Sequence, residues 1–556
     1  MAGADIQAAL HAWRSLLGPE AVLDGPAAWA AYGEDTNGIR RRLAGALRIT
    51  AAGQLPAVLA TARRHGVPLY PISTGRNWGY GTALPPRDDC AIVDLSRLNR
   101  ILHIDATLGT VTVEPGVTQG QLAEFLAARG HPFLVPVTGA GPWGSLVGNA
   151  LERGYGLTPF TDHFGAVTEL EAVLADGTPF RSVLREAGAE ALARVSRWGL
   201  GPAVNGLFSQ SAFGIVTRAT LRLARRPPCC QIGLFQLPDD ARLGPAIERV
   251  RELLAHLSGI VGGINLMNRH RVLAMTAPYP AAQVGPDGVL PAALIAALGR
   301  EHHVPPWTGF VTLYGTRRTV AAARAELRAG LRGIAHRLLF FSGPGVQRLQ
   351  AVARWVPGRA GQRLQPMLQT LRSATELVAG RPNRTALRLA YWRHPAGSAA
   401  ERSGDPARDG CGLIWYAPKL PLLGAEAEAA AALVRATTPR HGIEPLITFT
   451  AADTHTLDCT VPLLFARHDA AAVAAAQACY QSLFEQGRQR GYLPYRLGSD
   501  QFGLLDAALA GRAEWLHTLR RAFDPQDLIA PGRYAWPADR PDPGPLRRPG
   551  RAATRA

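Results

Sequence analysis

Lysine is almost missing from this sequence of 556 residues: Lys419 is the only one, and arginine supplies every other side-chain cation. Such a replacement of lysine by arginine is typical of a GC-rich coding sequence. The arginines behind the net charge of +17 are scattered rather than clustered with aromatic residues, so no electrostatic footprint for nucleic acid is visible. A positive surface can still steer an acidic protein partner.

Three further absences narrow the class of protein. The sequence has no apolar run of the roughly 18 residues that a transmembrane helix requires. Its first residues, 1–18, lack a basic stretch followed by an apolar one and predict an amphipathic helix, which argues against a secretory signal and for a cytoplasmic protein. No CxxC pair occurs among the six cysteines, so we expect neither a zinc or other metal site nor a disulfide framework.

The length is too great for one hydrophobic core and predicts at least two domains. Residues 48–223 alternate short β-rich runs with helical ones, which predicts an α+β domain, and Asp176-Gly177 is a strong hairpin signal. After Pro227-Pro228 longer helical runs follow, at 239–259 and 320–339, with strand-like stretches between them. This change of texture predicts a second α+β domain.

Three glycine-rich patches lie in the first domain. In residues 71–81 the glycines can bring backbone N–H groups close to a phosphate, although a plain glycine-rich turn would have the same composition. Residues 139–144 spell GxGxxG, but Pro142 interrupts the motif and no clear strand precedes it, which argues against a Rossmann dinucleotide site. The dense Gly, Asn, Thr and Asp residues of 148–165 are typical of a functional loop.

Five segments together resemble the FAD-binding signatures of the vanillyl-alcohol oxidase and p-cresol methylhydroxylase family. They are VPLYPISTGRNWGYG (67–81), TVEPGVTQGQL (112–122), GNALERGYGLTPFTDHFG (148–165), GPAVNGLFSQSAFGIVT (201–217) and FDPQDLIAPGRY (523–534). The resemblance implies an α+β fold, in which a PCMH-type FAD-binding domain of two α+β subdomains carries an α+β cap or substrate domain. The expected bounds are 1–228 for the FAD domain, 229–491 for the cap, 492–537 for a C-terminal segment that returns to the FAD domain, and 538–556 for a disordered tail.

The resemblance also implies which residues hold the FAD. Ser73, Thr74, Gly75, Arg76 and Asn77, followed by Gly79, correspond to the pyrophosphate loop. The rest of the cofactor would be lined by Pro115, Gly116, Asn149, Gly154, Gly156, Leu157, Thr158, Gly214, Ile215 and Val216. Arg533 would lie near the flavin and stabilise negative charge at its N1–C2=O edge.

Three residues carry the substrate prediction, because the fold alone does not decide it. Tyr80, Tyr495 and Arg496 match the two tyrosines and the arginine with which the family binds a phenol as phenolate. The pKa of a phenol is about 10, and a buried guanidinium with two phenolic donors stabilises its anion. The phenolate then releases hydride from the para Cα to flavin N5 and becomes a quinone methide. Two core tyrosines with a surface arginine remain the alternative, and the enzyme would then oxidise a 2-hydroxy acid or another alcohol.

Two departures from the family concern flavin attachment. The position of the family's covalent His or Tyr is occupied by Leu413, and the segment 135–145 lacks the aspartate that supports attachment in the oxidase branch. We therefore expect non-covalent FAD. A thioether to Cys411, which lies on the same strand face, is the less favoured alternative.

Asp409 falls where the methylhydroxylase branch places the base that activates water, although an Asp-Gly turn residue would look the same. The resemblance leaves open oxygen or a cytochrome as electron acceptor, and a homodimer.

Overall fold

The structure is a computed structural model that describes residues 4–355, 358–397, 401, 403–509 and 514–534. Its strands are β1 (Val22–Asp24), β2 (Leu43–Arg48), β3 (Leu69–Ile72), β4 (Cys90–Asp94), β5 (Ile101–Asp105), β6 (Thr110–Val113), β7 (Phe133–Leu134), β8 (Val167–Val173), β9 (Pro179–Phe180), β10 (Ile215–Arg222), β11 (Ala224–Arg225), β12 (Cys229–Leu237), β13 (Val261–Asn268), β14 (Trp307–Gly315), β15 (Arg337–Ser342), β16 (Gly412–Tyr416), β17 (Pro418–Pro421), β18 (Thr448–Ala451), β19 (Thr456–Phe465) and β20 (Leu493–Pro494).

The helices are α1 (Ile6–Leu17), α2 (Gly25–Tyr32), α3 (Leu55–His65), α4 (Gln119–Ala128), α5 (Leu146–Leu151), α6 (Val183–Glu186), α7 (Glu190–Ala193), α8 (Leu243–His256), α9 (Arg269–Thr276), α10 (Ala292–Glu301), α11 (Arg317–Gly330), α12 (Gly343–Ala353), α13 (Gly358–Val378), α14 (Gly424–Thr437), α15 (Ala470–Arg488), α16 (Phe502–Leu509) and α17 (Glu514–Phe523). The mixture of helices and sheets confirms the α+β class. None of the helices in the described part of the chain combines the length and apolarity needed to cross a bilayer.

Two sheets organise the first part of the chain. One has the order β1-β2-β4-β3, with β2, β4 and β3 parallel, and the other is antiparallel with the order β5-β6-β10-β8-β9. The predicted hairpin joins β8 to β9, and Gly177 at its turn has a φ of +91°, a value that favours glycine. These sheets place the glycine-rich loop after β3 next to the helix α5.

One large antiparallel sheet dominates the second part, in the order β15-β12-β14-β13-β18-β19-β17-β20, with β16 pairing to β19. Its core includes Trp307, Phe449 and Tyr416, all of which are buried. The helices α8, α11, α14 and α15 cover the sheet through their apolar faces. We propose the domain boundary at residues 228 and 229, because this sheet begins at Cys229.

The predicted helical run 320–339 is partly wrong, because the helix ends at Gly330 and residues 337–342 form the strand β15. Gly333 adopts a φ of +76° in the connection, which favours glycine. The following residues then pair with β12, an interaction with a distant segment that local helix propensity does not reveal.

The C-terminal segment returns to the first sheet. The Leu69 N–H donates to the Leu528 carbonyl at 2.8 Å, and the Ala530 N–H donates back to Leu69 at 2.6 Å. Ile529 is fully buried in the core of that sheet. The predicted disordered tail, 538–556, lies outside the described residues.

Candidate active site between the glycine loops and the cap sheet

A cavity of about 430 Å³ separates the loops of the first domain from the cap sheet. Its walls from the first domain include Tyr70, Ser73, Thr74, Gly75, Arg76, Asn77, Trp78, Tyr80, Pro115, Gln119, Thr138, Gly139, Ser145, Gly148, Asn149, Glu152, Gly154, Tyr155, Gly214 and Val216. Its walls from the cap and the C-terminal segment include Arg271, Leu387, Leu389, Ala390, Leu413, Trp415, Thr460, Tyr495, Arg496 and Arg533. The cavity thus joins a polar, glycine-rich half to a half of aromatic, apolar and arginine side chains.

The glycine-rich loop after β3 has the features of a phosphate cradle. Gly75 has a φ of +65°, and the backbone N–H groups of Thr74, Gly75 and Arg76 make no hydrogen bond to the backbone of the described residues. Arg76 Nη1 is buried without a hydrogen-bond partner among those residues, and Asp405 lies 3.7 Å away. Free N–H groups beside a guanidinium whose Nη1 still lacks a hydrogen-bond acceptor suit a pyrophosphate.

The helix α5 forms the facing wall of this loop. Ser145 caps the helix by accepting from the Gly148 N–H at 2.9 Å, and a Cβ at Gly148 would lie only 2.7 Å from Ser73 Oγ. Asn149 Nδ2 lies 2.6 Å from His163 Nδ1, which fixes the amide at the end of the helix. Gly148 therefore allows the two loops to approach closely around a ligand. Sequence reasoning had passed over Ser145 and Gly148, although the glycine lies within a quoted motif.

The predicted cofactor residues occupy three kinds of place. Those that line the cavity are Ser73, Thr74, Gly75, Arg76, Asn77, Pro115, Asn149, Gly154, Gly214, Val216 and Arg533. Gly116 lines an adjoining opening of about 560 Å³ that shares Thr74 and Arg76 with the cavity. Gly79, Gly156, Leu157, Thr158 and Ile215 line neither opening. Leu157 contacts β14 of the cap sheet, where its carbonyl accepts hydrogen bonds of 3.0 Å from Thr312 Oγ1 and the Tyr314 hydroxyl.

The three residues predicted to bind a phenolate are brought together. The guanidinium of Arg496 lies 4.4 Å from the centre of the Tyr80 ring, and the hydroxyl of Tyr495 is close enough to that of Tyr80 to influence its pKa. Burial and the neighbouring Tyr495 raise the pKa of Tyr80 well above its ordinary value, although Arg496 opposes the shift. The ring of Tyr155 lies 5.5 Å from that of Tyr495 and adds a third tyrosine to the cavity wall.

A largely buried carboxylate that sequence reasoning missed connects this cluster to the C-terminal arginine. Glu152 forms an ion pair with Arg533 and lies 3.4 Å from Arg496 Nε. Burial works against its charge, but the two guanidiniums hold the pKa of Glu152 below its usual value. Arg496 also donates a hydrogen bond to Asn77 Oδ1, so the cluster of Tyr80, Tyr495 and Arg496 is connected to the end of the glycine loop. Glu152 lies inside the family-like motif 148–165, and this position in the sequence could have identified it.

Strand β16 brings Leu413, which occupies the position of the family's covalent His or Tyr, to the cavity. Leu413 and Trp415 line the cavity, and their N–H groups donate to Thr36 at 2.8 Å and to Gly79 at 3.1 Å. Cys411 is fully buried in an apolar cluster, and burial raises the pKa of its thiol to about 12. A thiol of that kind is a weak nucleophile at neutral pH.

Asp409 is not among the residues that line the cavity. The hydroxyl of Tyr391 donates to Asp409 Oδ2 at 2.7 Å, and Ser403 Oγ donates to Oδ1 at 2.9 Å. The structure therefore holds this carboxylate in a hydrogen-bonded loop of the cap, outside the cavity that Tyr80, Tyr495 and Arg496 line. Its role as a water-activating base stays a prediction.

Comparisons with known proteins agree with this site. A family model described as an FAD binding domain matches residues 44–182. The 1'-carboxy-chondrochloren decarboxylase of Chondromyces crocatus is 34% identical over 96% of this chain and 98% of its own length. The flavoprotein subunit of the hydroxylating 4-cresol dehydrogenase of Pseudomonas putida is 27% identical over 88% and 87%.

Solved structures show the same fold. The structure of 4-ethylphenol oxidase from Gulosibacter chungangensis superimposes with a TM-score of 0.84, at 24% identity over 96% of this chain and 98% of that chain. The structure of p-cresol methylhydroxylase superimposes with a TM-score of 0.83, at 23% identity over 95% of this chain and 96% of that chain.

Proposed function

This chain belongs to the vanillyl-alcohol oxidase and p-cresol methylhydroxylase family of FAD-dependent oxidoreductases, and on that premise we propose that it oxidises a para-substituted phenol bound as its phenolate. The observation that carries the proposal is the cluster of Tyr80, Tyr495 and Arg496 in one cavity wall, assembled from segments more than 400 residues apart. The 2-hydroxy-acid alternative would leave this buried cluster without a role.

The cofactor of the proposed reaction is FAD. The loop 73–77 would hold its pyrophosphate through free backbone N–H groups and Arg76, and α5 with Asn149 would close the opposite side. Arg533, buried against Glu152, would provide positive charge beside the flavin. FAD, when bound, supplies the acceptor for the hydride that leaves the para Cα of the substrate. Leu413 at the covalent position supports a non-covalent cofactor, and the final electron acceptor is oxygen or a partner protein.

The residues of the cavity would lower the pKa of the bound phenol. Arg496 provides a full positive charge, and the hydroxyls of Tyr80 and Tyr495 can both donate to the phenolate oxygen. Because Arg496 is held by Asn77 and Glu152, its guanidinium is positioned before substrate binds. The phenolate pushes electron density into the ring, which favours the departure of hydride from the Cα of the para substituent and leaves a quinone methide.

The experiment mixes the purified holoenzyme without oxygen with 4-ethylphenol or with D-lactate and records the visible flavin absorbance. We expect the phenol to bleach the flavin and D-lactate to leave it oxidised. Bleaching by D-lactate alone would overturn the proposal and favour the 2-hydroxy-acid reaction.

Oxidative decarboxylation of a phenol is a second candidate, favoured by the full-length relative from Chondromyces crocatus that is named a decarboxylase. Suppose the carbon next to the para Cα carries a carboxylate. Loss of hydride from the Cα gives a quinone methide, and the electron pair of the bond to the carboxylate can then return the ring to phenolate. CO₂ leaves, a carbon–carbon double bond forms, and no further oxidant is needed.

The products of 3-(4-hydroxyphenyl)propanoate separate the two candidates. Decarboxylation would give 4-vinylphenol and CO₂, whereas simple dehydrogenation would give 4-hydroxycinnamate with the carboxylate retained. Chromatography of a turnover mixture distinguishes these products, and 4-hydroxycinnamate alone would exclude the decarboxylation.

A further inference from the structure

One cation in the cavity wall has no role in the reaction described so far. Arg271, in the first turn of α9, lines the cavity and is partly accessible, but its Nε and Nη1 atoms are buried. Neither atom has a hydrogen-bond partner among the described residues. Burial lowers the pKa of Arg271 to about 10, so the guanidinium still carries its charge at neutral pH.

The surroundings of Arg271 are apolar and belong to the cap. Asn268 Oδ1 accepts from the Arg271 N–H at 3.0 Å and fixes the start of α9. Leu273 of the same helix packs in one cluster with Leu389 and Leu413, both of which line the cavity. Arg271 therefore enters the cavity from the apolar cap wall, whereas the predicted phosphate loop lies on the first domain.

Two other arginines of the cap, unlike Arg271, have hydrogen-bond partners for their guanidiniums within the described part of the chain. Arg269, in the same helix, donates from Nε to the Val304 carbonyl at 3.1 Å. Arg393 donates to the Gly288 carbonyl at 3.1 Å and lies 3.9 Å from Glu444. Because a buried charge without a partner is strongly unfavourable, the unmet donors of Arg271 indicate an anion that the protein itself does not supply.

We propose that Arg271 is the specificity-determining residue that binds a carboxylate on the para side chain of the substrate. The inference rests on the proposed phenol oxidation and names the substrate class: a phenol with an anionic group at each end. The planar fork of a guanidinium matches a carboxylate with two parallel hydrogen bonds. Phosphate fits less well, because the apolar wall around Arg271 offers no array of backbone N–H groups like that of residues 74–76.

The test compares 3-(4-hydroxyphenyl)propanoate with the uncharged 4-propylphenol and measures the ratio of their kcat/KM values in the holoenzyme. Arg271→Met removes the charge, Arg271→Lys keeps it without the fork, and Arg269→Met is the matched control in the same helix. We expect Arg271→Met to lower the acid-to-phenol ratio at least about tenfold, because charge-assisted hydrogen bonds are strong. Arg271→Lys should give an intermediate ratio, and Arg269→Met should keep the wild-type ratio.

An unchanged ratio in Arg271→Met, or an equal fall in Arg269→Met, would overturn the inference. So would an Arg271→Met protein with less FAD per chain than the wild type, because Arg271 would then serve the cofactor. If Arg271→Met does not fold, the test compares the kcat/KM of the wild-type enzyme for the acid with that for its methyl ester. A wild type without preference for the acid would contradict the inference. Oxidation of 4-propylphenol without preference for the acid refutes this inference alone, whereas a wild type that oxidises neither compound refutes the proposed function as well.

Discussion

The charge of Arg496 should dominate phenolate stabilisation, and Arg496→Met removes it at nearly constant volume. The side chain is 11% exposed, lies over the Tyr80 ring at 4.4 Å and is held by Asn77 and Glu152. A hydrogen bond to a charged group contributes about 1.5–3 kcal/mol. Since each ~1.4 kcal/mol is tenfold in rate, kcat/KM for 4-ethylphenol should fall by about ten- to a hundredfold.

Steady-state kinetics at saturating FAD measure this loss, with Arg496→Lys expected to lie between the variant and the wild type. Arg318→Met, on the exposed side of α11, is the matched control and should keep the wild-type kcat/KM. Tyr80→Phe and Tyr495→Phe should each lose less than Arg496→Met, and their effects should not add, because the two hydroxyls would share one phenolate oxygen. A folded, FAD-loaded Arg496→Met protein with wild-type kcat/KM would refute the reasoning.

Three further predictions concern the wall of the cavity. Glu152→Gln leaves two largely buried guanidiniums without their carboxylate, so thermal unfolding should show a loss of about 3–5 kcal/mol, whereas Glu485→Gln on the surface should leave stability nearly unchanged; equal losses would contradict the structural role of Glu152. Acid precipitation should release FAD into the supernatant, because Leu413 cannot form the covalent bond; colour that stays with the wild-type pellet but is released from Cys411→Ser would show a thioether instead. Gly148→Val places a Cβ 2.7 Å from Ser73 Oγ and should lower the FAD content of the purified protein, whereas Gly53→Val, with nothing within 4 Å, should not; full FAD occupancy in Gly148→Val would count against the cradle.

Much of the fold could be predicted from local patterns. The strand at 69–72, the helix at 55–65 and the Asp176-Gly177 hairpin each follow from short-range periodicity and turn chemistry. The strand β15 could not be predicted in this way, since residues 337–342 become a strand only by pairing with β12, about a hundred residues earlier in the chain.

The candidate site also contains residues that the sequence could identify and residues that it could not. The motifs that resemble the family indicated Tyr80, Tyr495 and Arg496, and the structure places their side chains together. Glu152 and Arg271 were missed, because a single charged residue in a helical or loop segment reads as solvent-exposed. Their significance comes from burial and from the presence or absence of a counter-charge, which depend on elements far apart in the sequence.

The phenolate itself is the central claim, and it is tested most directly by comparing 4-ethylphenol with its methyl ether, 4-ethylanisole. The two compounds share the reacting Cα of the para ethyl group, but only the phenol can ionise to an anion that Arg496, Tyr80 and Tyr495 would stabilise. Mixed without oxygen with the wild-type holoenzyme, 4-ethylphenol should bleach the flavin, and 4-ethylanisole should leave it oxidised. Bleaching at equal rates by both compounds would contradict the account, because hydride would then leave without a phenolate.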